Sequence, residues 1–247
     1  MPNPRNILIT GATGGIGRET AQRFAASENT LLLHTHNNIA QLEQFATELK
    51  AANEIICLQS DLSKPEERKK FLTELTNTKK QIDVFIQAAG IDLMRESARS
   101  LTFDERLEVI WQLDVVATIT LSRYIGEQMK QRGKGNIVLF GWNEIDYGMK
   151  GSTAQLYATA KGATLGFMRS LAHELAPEVR VNAISPGWIK TRWGKKASTI
   201  MQETGNNAAL LNRWGEPKEI ADAIMYLTSE SSTFVTKQNI IIDGGRR

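Results

Sequence analysis

The sequence predicts an α/β fold in which helices cover both faces of a doubly wound parallel sheet. Three observations lead there. Short apolar runs alternate with longer stretches of helical periodicity, the βαβ rhythm of parallel sheets. The runs are apolar without alternation, as expected of strands covered on both faces. A glycine-rich turn follows the first run and opens the first helical stretch, where sheets of this kind bind ligands.

Taken in order, Asn6-Ile7-Leu8-Ile9 is the first strand, with a helix from about Gly15 to Ser27 after it. Thr30-Leu31-Leu32-Leu33 is the second, with a helix over Ile39 to Ala51. Ile55-Ile56-Cys57-Leu58 is the third. The helix after it opens at Ser63-Lys64-Pro65-Glu66, where a proline lacks only an N–H that would be orphaned anyway and an acid faces the helix dipole. The later strands are Val84-Phe85-Ile86, Asn136 to Phe140, Val179 to Ile184 and Asn239 to Ile242.

The 247 residues can bury a sizeable core, and no linker, repeat or low-complexity tract divides them. One domain over residues 1–247 is expected. Hydrophobic content of 41% and charged content of 23% fit a globular protein. The net charge of +3 is spread along the chain, which excludes the concentrated basic face of a nucleic-acid binder. No apolar stretch approaches the ~20 residues of a membrane span. The Met1–Arg5 start carries no apolar signal-peptide region. Cys57 is the only cysteine, so no internal disulfide or thiolate cluster forms; its apolar run predicts a buried thiol, and a cytoplasmic setting fits. His34, His36 and His173 are too scattered for a metal site.

The turn reads Thr10-Gly11-Ala12-Thr13-Gly14-Gly15-Ile16-Gly17. Its glycines let backbone N–H groups approach a pyrophosphate, and the helix N-terminus adds orphan donors and partial positive charge. The spacing Thr-Gly-x-x-x-Gly-x-Gly resembles the signature of the short-chain dehydrogenase/reductase family. Further segments resemble it in the same order: Asp61-Leu62, Gln87-Ala88-Ala89-Gly90, Tyr157-Ala158-Thr159-Ala160-Lys161, Arg180 to Thr191, Arg213 to Ala221, and Ile242-Asp243-Gly244-Gly245. The resemblance covers nearly the whole chain. It implies a Rossmann-type fold with seven parallel strands and a substrate loop over about 188–213. It also implies a nicotinamide dinucleotide held by Gly11, Thr13, Gly15, Ile16 and Gly17, by Thr35, His36 and Asn37, and by Asp61 and Leu62. Ala88, Ala89, Gly90, Tyr157, Lys161, Pro186, Gly187, Ile189 and Thr191 complete that set.

Tyr157 and Lys161 are i, i+4 on a helical pattern and share one face. A phenol ordinarily titrates near ~10, and a neighbouring ammonium favours its ionised form. Carbonyl reduction needs such a tuned acid, because the oxygen must take a proton as hydride reaches carbon. The resemblance gives Tyr157 that role and makes Lys161 its tuner and ribose anchor.

Two positions depart from the family pattern. The family's serine after the fifth strand falls on Trp142 when aligned from the strand, and on Glu144 when counted back from Tyr157. No serine or threonine occurs between Gly141 and Gly151. The family's asparagine on the long fourth helix falls on Asp114, in the run Phe103 to Asp114. By position the catalytic set is therefore Asp114, Trp142, Tyr157 and Lys161. Trp142 can donate through its indole N–H, wall the pocket, or pack over a site no longer used. A lost hydrogen bond to a developing oxyanion costs roughly a hundredfold in rate.

Two functions compete. The first is an NAD(P)-dependent oxidoreductase acting on a carbonyl or secondary alcohol, including 3-oxoacyl thioesters. The second is a non-redox isomerase or dehydratase using Tyr157 with Asp114, Glu144 or Asp146, or a cofactor-binding protein without turnover. No acid follows the second strand before Glu43, so NADP(H) is expected over NAD(H). Thr35 and Asn37 would donate to the 2′-phosphate, and His36 would add charge that fades past neutral pH. Arg192, Lys195 and Lys196 can meet an anionic substrate or form a solvated charge cluster; Trp188, Trp193 and Trp214 can wall an apolar one or anchor the loop. The resemblance implies a homo-oligomer, a tetramer or dimer, built on the helices around Asp114 and Lys161.

Overall fold

A computed structural model describes residues 4–49, 52–94, 98, 100–191, 194 and 197–247. Seven strands form one sheet in the order β3-β2-β1-β4-β5-β6-β7. They are β1 (Asn6–Thr10), β2 (Thr30–Thr35), β3 (Glu54–Gln59), β4 (Val84–Gln87), β5 (Gly135–Phe140), β6 (Val179–Pro186) and β7 (Asn239–Ile242), and every pairing is parallel. The order reverses at β1 and β4, and the crevice beyond their C-terminal ends is where ligands bind in such sheets. This is the doubly wound Rossmann-type architecture the sequence predicts.

Alternate residues of the inner strands feed two cores. Leu8, Leu32, Phe85, Ile137 and Leu139 pack with α3 (Pro65–Asn77), α5 (Thr118–Gln131) and α6 (Ser152–Leu175). Ile7, Ile9, Leu31, Leu33, Val84 and Ile86 pack with α1 (Gly15–Ala25), α2 (Ile39–Glu48) and α8 (Pro217–Leu227). Both faces are apolar because both are covered, which is why the strands show no alternation.

The edges correct that expectation. Ile241 on β7 is 45% exposed, and Cys57 on β3 is half-buried rather than buried. An edge strand has a neighbour on one side only, and its covering layer thins there. The first helix ends at Ala25, two residues before the predicted Ser27, and α2 ends at Glu48. Ala51 lies outside the described residues, as do Arg192, Trp193, Lys195 and Lys196 of the substrate loop.

The run from Phe103 is not one uniform α-helix. It begins as α4 (Phe103–Ile110), under a capping box in which Thr102 and Glu105 satisfy each other's backbone N–H. It widens to a π-helix over Trp111–Ala117 and resumes as α5. Asp114 sits inside the π turn, a device found frequently at functional sites. A π turn leaves no trace in a 3.6-residue apolar pattern, so the sequence reading missed it.

Candidate active site

The glycine turn is built by close backbone packing. Gly11 has φ +67°, and a Cβ there would lie 2.8 Å from the Ala89 backbone nitrogen. A Cβ on Gly17 would lie 2.3 Å from the Gly11 carbonyl oxygen. No other residue reaches either position without moving backbone. At Gly15 a Cβ would meet Thr191 at 3.0 Å, so the turn faces the Pro186-Gly187 loop. No side chain caps the start of α1, and its first donors are left for a ligand.

His34 braces this turn from beneath. The Gly11 N–H donates to its Nδ1 at 3.3 Å, so Nε2 carries the proton and donates to the Ser60 carbonyl at 2.9 Å. Burial lowers the imidazole to about 4, with the Ser60 bond opposing. The sequence reading weighed His34 only as a metal ligand; it is a neutral strut between the turn and the end of β3. Among the described residues no cluster of metal-ligating side chains occurs.

At the end of β2, Thr35 is buried and its hydroxyl meets that of Thr13 at 3.1 Å. His36 and Asn37 are exposed. The next cation comes from elsewhere: Lys64, at the start of α3, lies 3.2 Å from Asp61 Oδ2, and His36 Nε2 lies 3.6 Å from the same oxygen. Burial works to raise the Asp61 carboxyl, but bonds from Ser63 and Lys64 and the nearby His36 bring it below the usual range. The side chain of Leu62 is packed in the core, which leaves main-chain atoms as its means of contact with a ligand.

Asp114, Trp142, Tyr157 and Lys161 come together around Ile91. The Tyr157 hydroxyl donates to the Ile91 carbonyl at 2.7 Å and accepts from the Leu93 N–H at 3.1 Å. The Ile91 N–H donates to Asp114 Oδ1 at 3.3 Å, and Lys161 Nζ lies 3.5 Å from Asp114 Oδ2. That second separation is an ion-pair contact at the outer limit of a hydrogen bond. Burial raises the Asp114 carboxyl, and the lysine charge offsets part of the rise. The Trp142 ring centroid is 6.0 Å from that of Tyr157, tilted by 47°. Gly90 links the two halves of the site, since a Cβ there would lie 3.2 Å from either Asp114 oxygen.

Trp142 and Glu144, the two positions on which the family serine can fall, have different neighbours. Trp142 faces Tyr157, whereas Glu144 is buried and receives Arg246 Nε on its Oε2 at 2.9 Å. The nearest hydroxyls, Ser152 and Thr153, each accept from Arg106 at 3.3 Å at the start of α6. Trp214 is an anchor: it is buried, donates Nε1–H to the Gln202 carbonyl at 3.0 Å, and packs against Trp188 at 5.1 Å. Arg213 grips Glu219 through two bonds of 2.8 and 2.6 Å, and together with the Glu216 N–H they hold the Glu219 carboxyl down to about 2.

The fold and these motifs define a class of nucleotide-binding oxidoreductases, and comparison with known proteins agrees. A family model described as enoyl-(acyl carrier protein) reductase matches residues 11–247. The chain belongs to the short-chain dehydrogenase/reductase family, whose members bind a nicotinamide cofactor and act on small molecules. An uncharacterized oxidoreductase of Bacillus subtilis (strain 168) is 32% identical over 98% of this chain and 98% of its own. The 3-oxoacyl-[acyl-carrier-protein] reductase of Thermotoga maritima is 30% identical over 96% of each chain. The structure of 4-hydroxyisoleucine dehydrogenase complexed with NADH superposes with a TM-score of 0.86 at 28% identity, covering 98% of both chains. No helix among the described residues is long and apolar enough to cross a membrane.

Proposed function

We propose that this chain is a cytoplasmic, NADP(H)-preferring reductase of ketones, with 3-oxoacyl thioesters as the first substrates to try, and that residues 1–247 form one catalytic domain. The observation that supports it is the continuous path from the uncapped α1 N-terminus through Ala89 and Gly90 to Asp114, and on to Lys161 and Tyr157 on α6. The glycine turn presents backbone and no intruding side chain, which suits a pyrophosphate. Gly11, Gly15, Gly17 and Thr191 would hold the phosphate end; Thr35, His36, Asn37 and Lys64 would face the adenosine ribose.

When bound, the reduced nicotinamide supplies a hydride for the carbonyl carbon. Tyr157 Oη delivers the proton to the carbonyl oxygen, and that requires it to leave the Ile91 carbonyl it now donates to. Lys161 sits one helical turn from Tyr157 on the same helix face, with Asp114 beside its ammonium, and would supply positive charge on the phenol's side of α6. Trp142 walls the pocket where the family has a hydroxyl.

A second reading has an observation of its own. Tyr157 is already satisfied by loop backbone, as in a protein that binds cofactor without turnover. The pair Glu144–Arg246 leaves Glu144 poorly suited to acid–base work and weakens the isomerase version. NADPH binding followed by a ketone panel, read by loss of reduced-nicotinamide absorbance, separates the two. Binding with no turnover on any ketone overturns the reductase. The proposed assembly is a dimer or tetramer through α4, α5 and α6, where Phe103 and Trp111 are exposed and a Cβ on Gly162 or Gly166 would meet nothing. Light scattering that reports a monomer rejects it.

A further inference from the structure

The segment Asp243–Arg247 touches three separate walls of the site. Gly187, in the loop expected at the cofactor, donates its N–H to the Ile242 carbonyl at 3.0 Å and leaves no room for a Cβ beside Asp243. Leu210 and Leu211, just past α7 (Thr199–Ala208), donate to the carbonyls of Gly245 and Gly244 at 2.6 and 3.1 Å. Arg247 N–H returns a bond to the Ala208 carbonyl at 3.0 Å, and Ala209 and Arg246 form an antiparallel bridge. The third wall is the loop after β5. Asn143 Nδ2 donates to Asp243 Oδ2 at 3.3 Å, Arg246 Nε to Glu144 Oε2 at 2.9 Å, and the Arg246 guanidinium lies 4.1 Å from the Tyr147 ring centroid.

We propose that Arg246 is a positioning residue that sets the Trp142 wall of the reaction pocket by latching Glu144 to the end of the substrate loop. The inference rests on the reading above that Trp142 and Tyr157 bound that pocket. Glu144 is two residues from Trp142 and is buried, so its carboxylate must be paired or rehydrated. Without Arg246, the carboxylate turns toward water and carries Trp142 with it. Because the same segment holds residues 208–211, the latch makes the tilt of Trp142 depend on where the substrate loop lies. Asn143 adds a second, uncharged tie next to Trp142. The role is one of geometry and places Arg246 in contact with neither proton nor hydride.

The test uses the full chain, with Arg246→Ala, Arg246→Lys, and each of these in a Trp142→Phe background. Acrylamide quenching assigned to Trp142, taken as the difference between each protein and its Trp142→Phe partner, reads the wall without any turnover. Arg246→Ala is expected to raise that quenching about twofold and the KM for acetoacetyl-CoA about tenfold, since small misplacements weigh heavily on alignment. NADPH affinity should stay within about twofold, and Arg246→Lys should recover most of both effects because it keeps a charge in reach of Glu144. Unchanged Trp142 quenching in a folded Arg246→Ala overturns the proposal, as does a lowered melting temperature with quenching and KM unmoved. If Arg246→Ala does not fold, Arg246→Met, which keeps the length of the side chain but neither its charge nor its donors, decides by the same quenching measurement against its own Trp142→Phe partner. The quenching effect in Arg246→Ala, together with a parent protein that reduces no ketone, keeps the latch and rejects the reductase.

Discussion

The cofactor side and the substrate side of this site are built from different materials. Around the glycine turn the surface is main chain: Gly11 against Ala88 and Ala89, Gly17 against Gly11, and a helix start with no side-chain cap. Around the β5 loop it is side chains tying together distant parts of the chain: Glu144 with Arg246, Asn143 with Asp243, Trp142 with Tyr157. A main-chain surface can be written in a short stretch of sequence, because only the backbone conformation has to be specified. A side-chain surface needs partners that only the folded chain brings together. The first kind of surface depends on few side chains, and the second depends on many.

The largest expected effect separates the halves directly. Tyr157→Phe removes the proposed proton donor on the substrate side and should lower ketone reduction by about 10² to 10⁴. It should leave the NADPH dissociation constant within about twofold, because the glycine turn does not involve the phenol. Retained turnover removes Tyr157 from the acid role; a large loss of NADPH affinity breaks the division into halves.

The converse change is Gly17→Ala. Its methyl group would stand 2.3 Å from the Gly11 carbonyl, and backbone has to move to admit it. A loss of about 3 kcal/mol in unfolding free energy is expected, the scale of strained or overpacked positions. Cofactor affinity should fall with it. Urea melts with and without NADPH measure both; a variant as stable as the parent would show that the turn yields more easily than its packing suggests.

His34 tests how far the main-chain surface depends on one buried side chain. Its folded value of about 4 lies below the unfolded 6.5. The unfolded chain therefore takes up the proton first as pH falls, and stability is whole above 6.5 and lost on the way down toward 4. The shift corresponds to about 3 kcal/mol over that window, at 1.36 kcal/mol per unit. Protonation of the folded protein, which comes only near pH 4, would also remove the acceptor for the Gly11 N–H, so NADPH affinity should weaken only there, at the low end of the window. Unfolding curves at pH 7 and near pH 4.5, for the parent and His34→Gln, measure it. Equal acid sensitivity in both proteins would acquit His34.

What was legible in the sequence follows the same division. The strands, the glycine turn, Tyr157 and Lys161 are contiguous or periodic signals, and the fold they predict is the one observed. The π turn at Asp114 was not legible, because it changes hydrogen-bond register without changing composition. The partners of Glu144 and of Tyr157 were not legible either. Arg246 is 102 residues from Glu144, and the Ile91 carbonyl that holds the phenol is an atom every residue carries. The choice between Trp142 and Glu144 stays open in the sequence because the partners of each, Tyr157 and Arg246, lie far along the chain.

Lys64 gives the smallest expected effect and the finest test of the comparison. The stretch after β2 offers no arginine or lysine, which by itself predicts a 2′-phosphate met by neutral donors. Thr35 is buried with its hydroxyl against that of Thr13, and Lys64 lies 3.2 Å from Asp61 Oδ2. His36 approaches the same oxygen at 3.6 Å. Asp61 thus gathers a lysine and an imidazole at the end of β2 and β3, and a phosphate arriving there would compete with the carboxylate for them. Lys64 is 68% exposed, so solvent screens the attraction and its worth is that of a surface ion pair, up to about 1 kcal/mol. Lys64→Ala should therefore weaken NADPH binding by about three- to fivefold at low salt and leave NADH binding unchanged. The difference should shrink toward nothing as salt rises, because exposed charges are screened within roughly 10 Å at 0.1 M. Fluorescence titrations of both nucleotides at two ionic strengths measure it. An equal loss for NADPH and NADH would mean that Lys64 acts through Asp61 on the shared adenosine, and the cofactor side would then hold a side-chain tie of the kind found around Trp142.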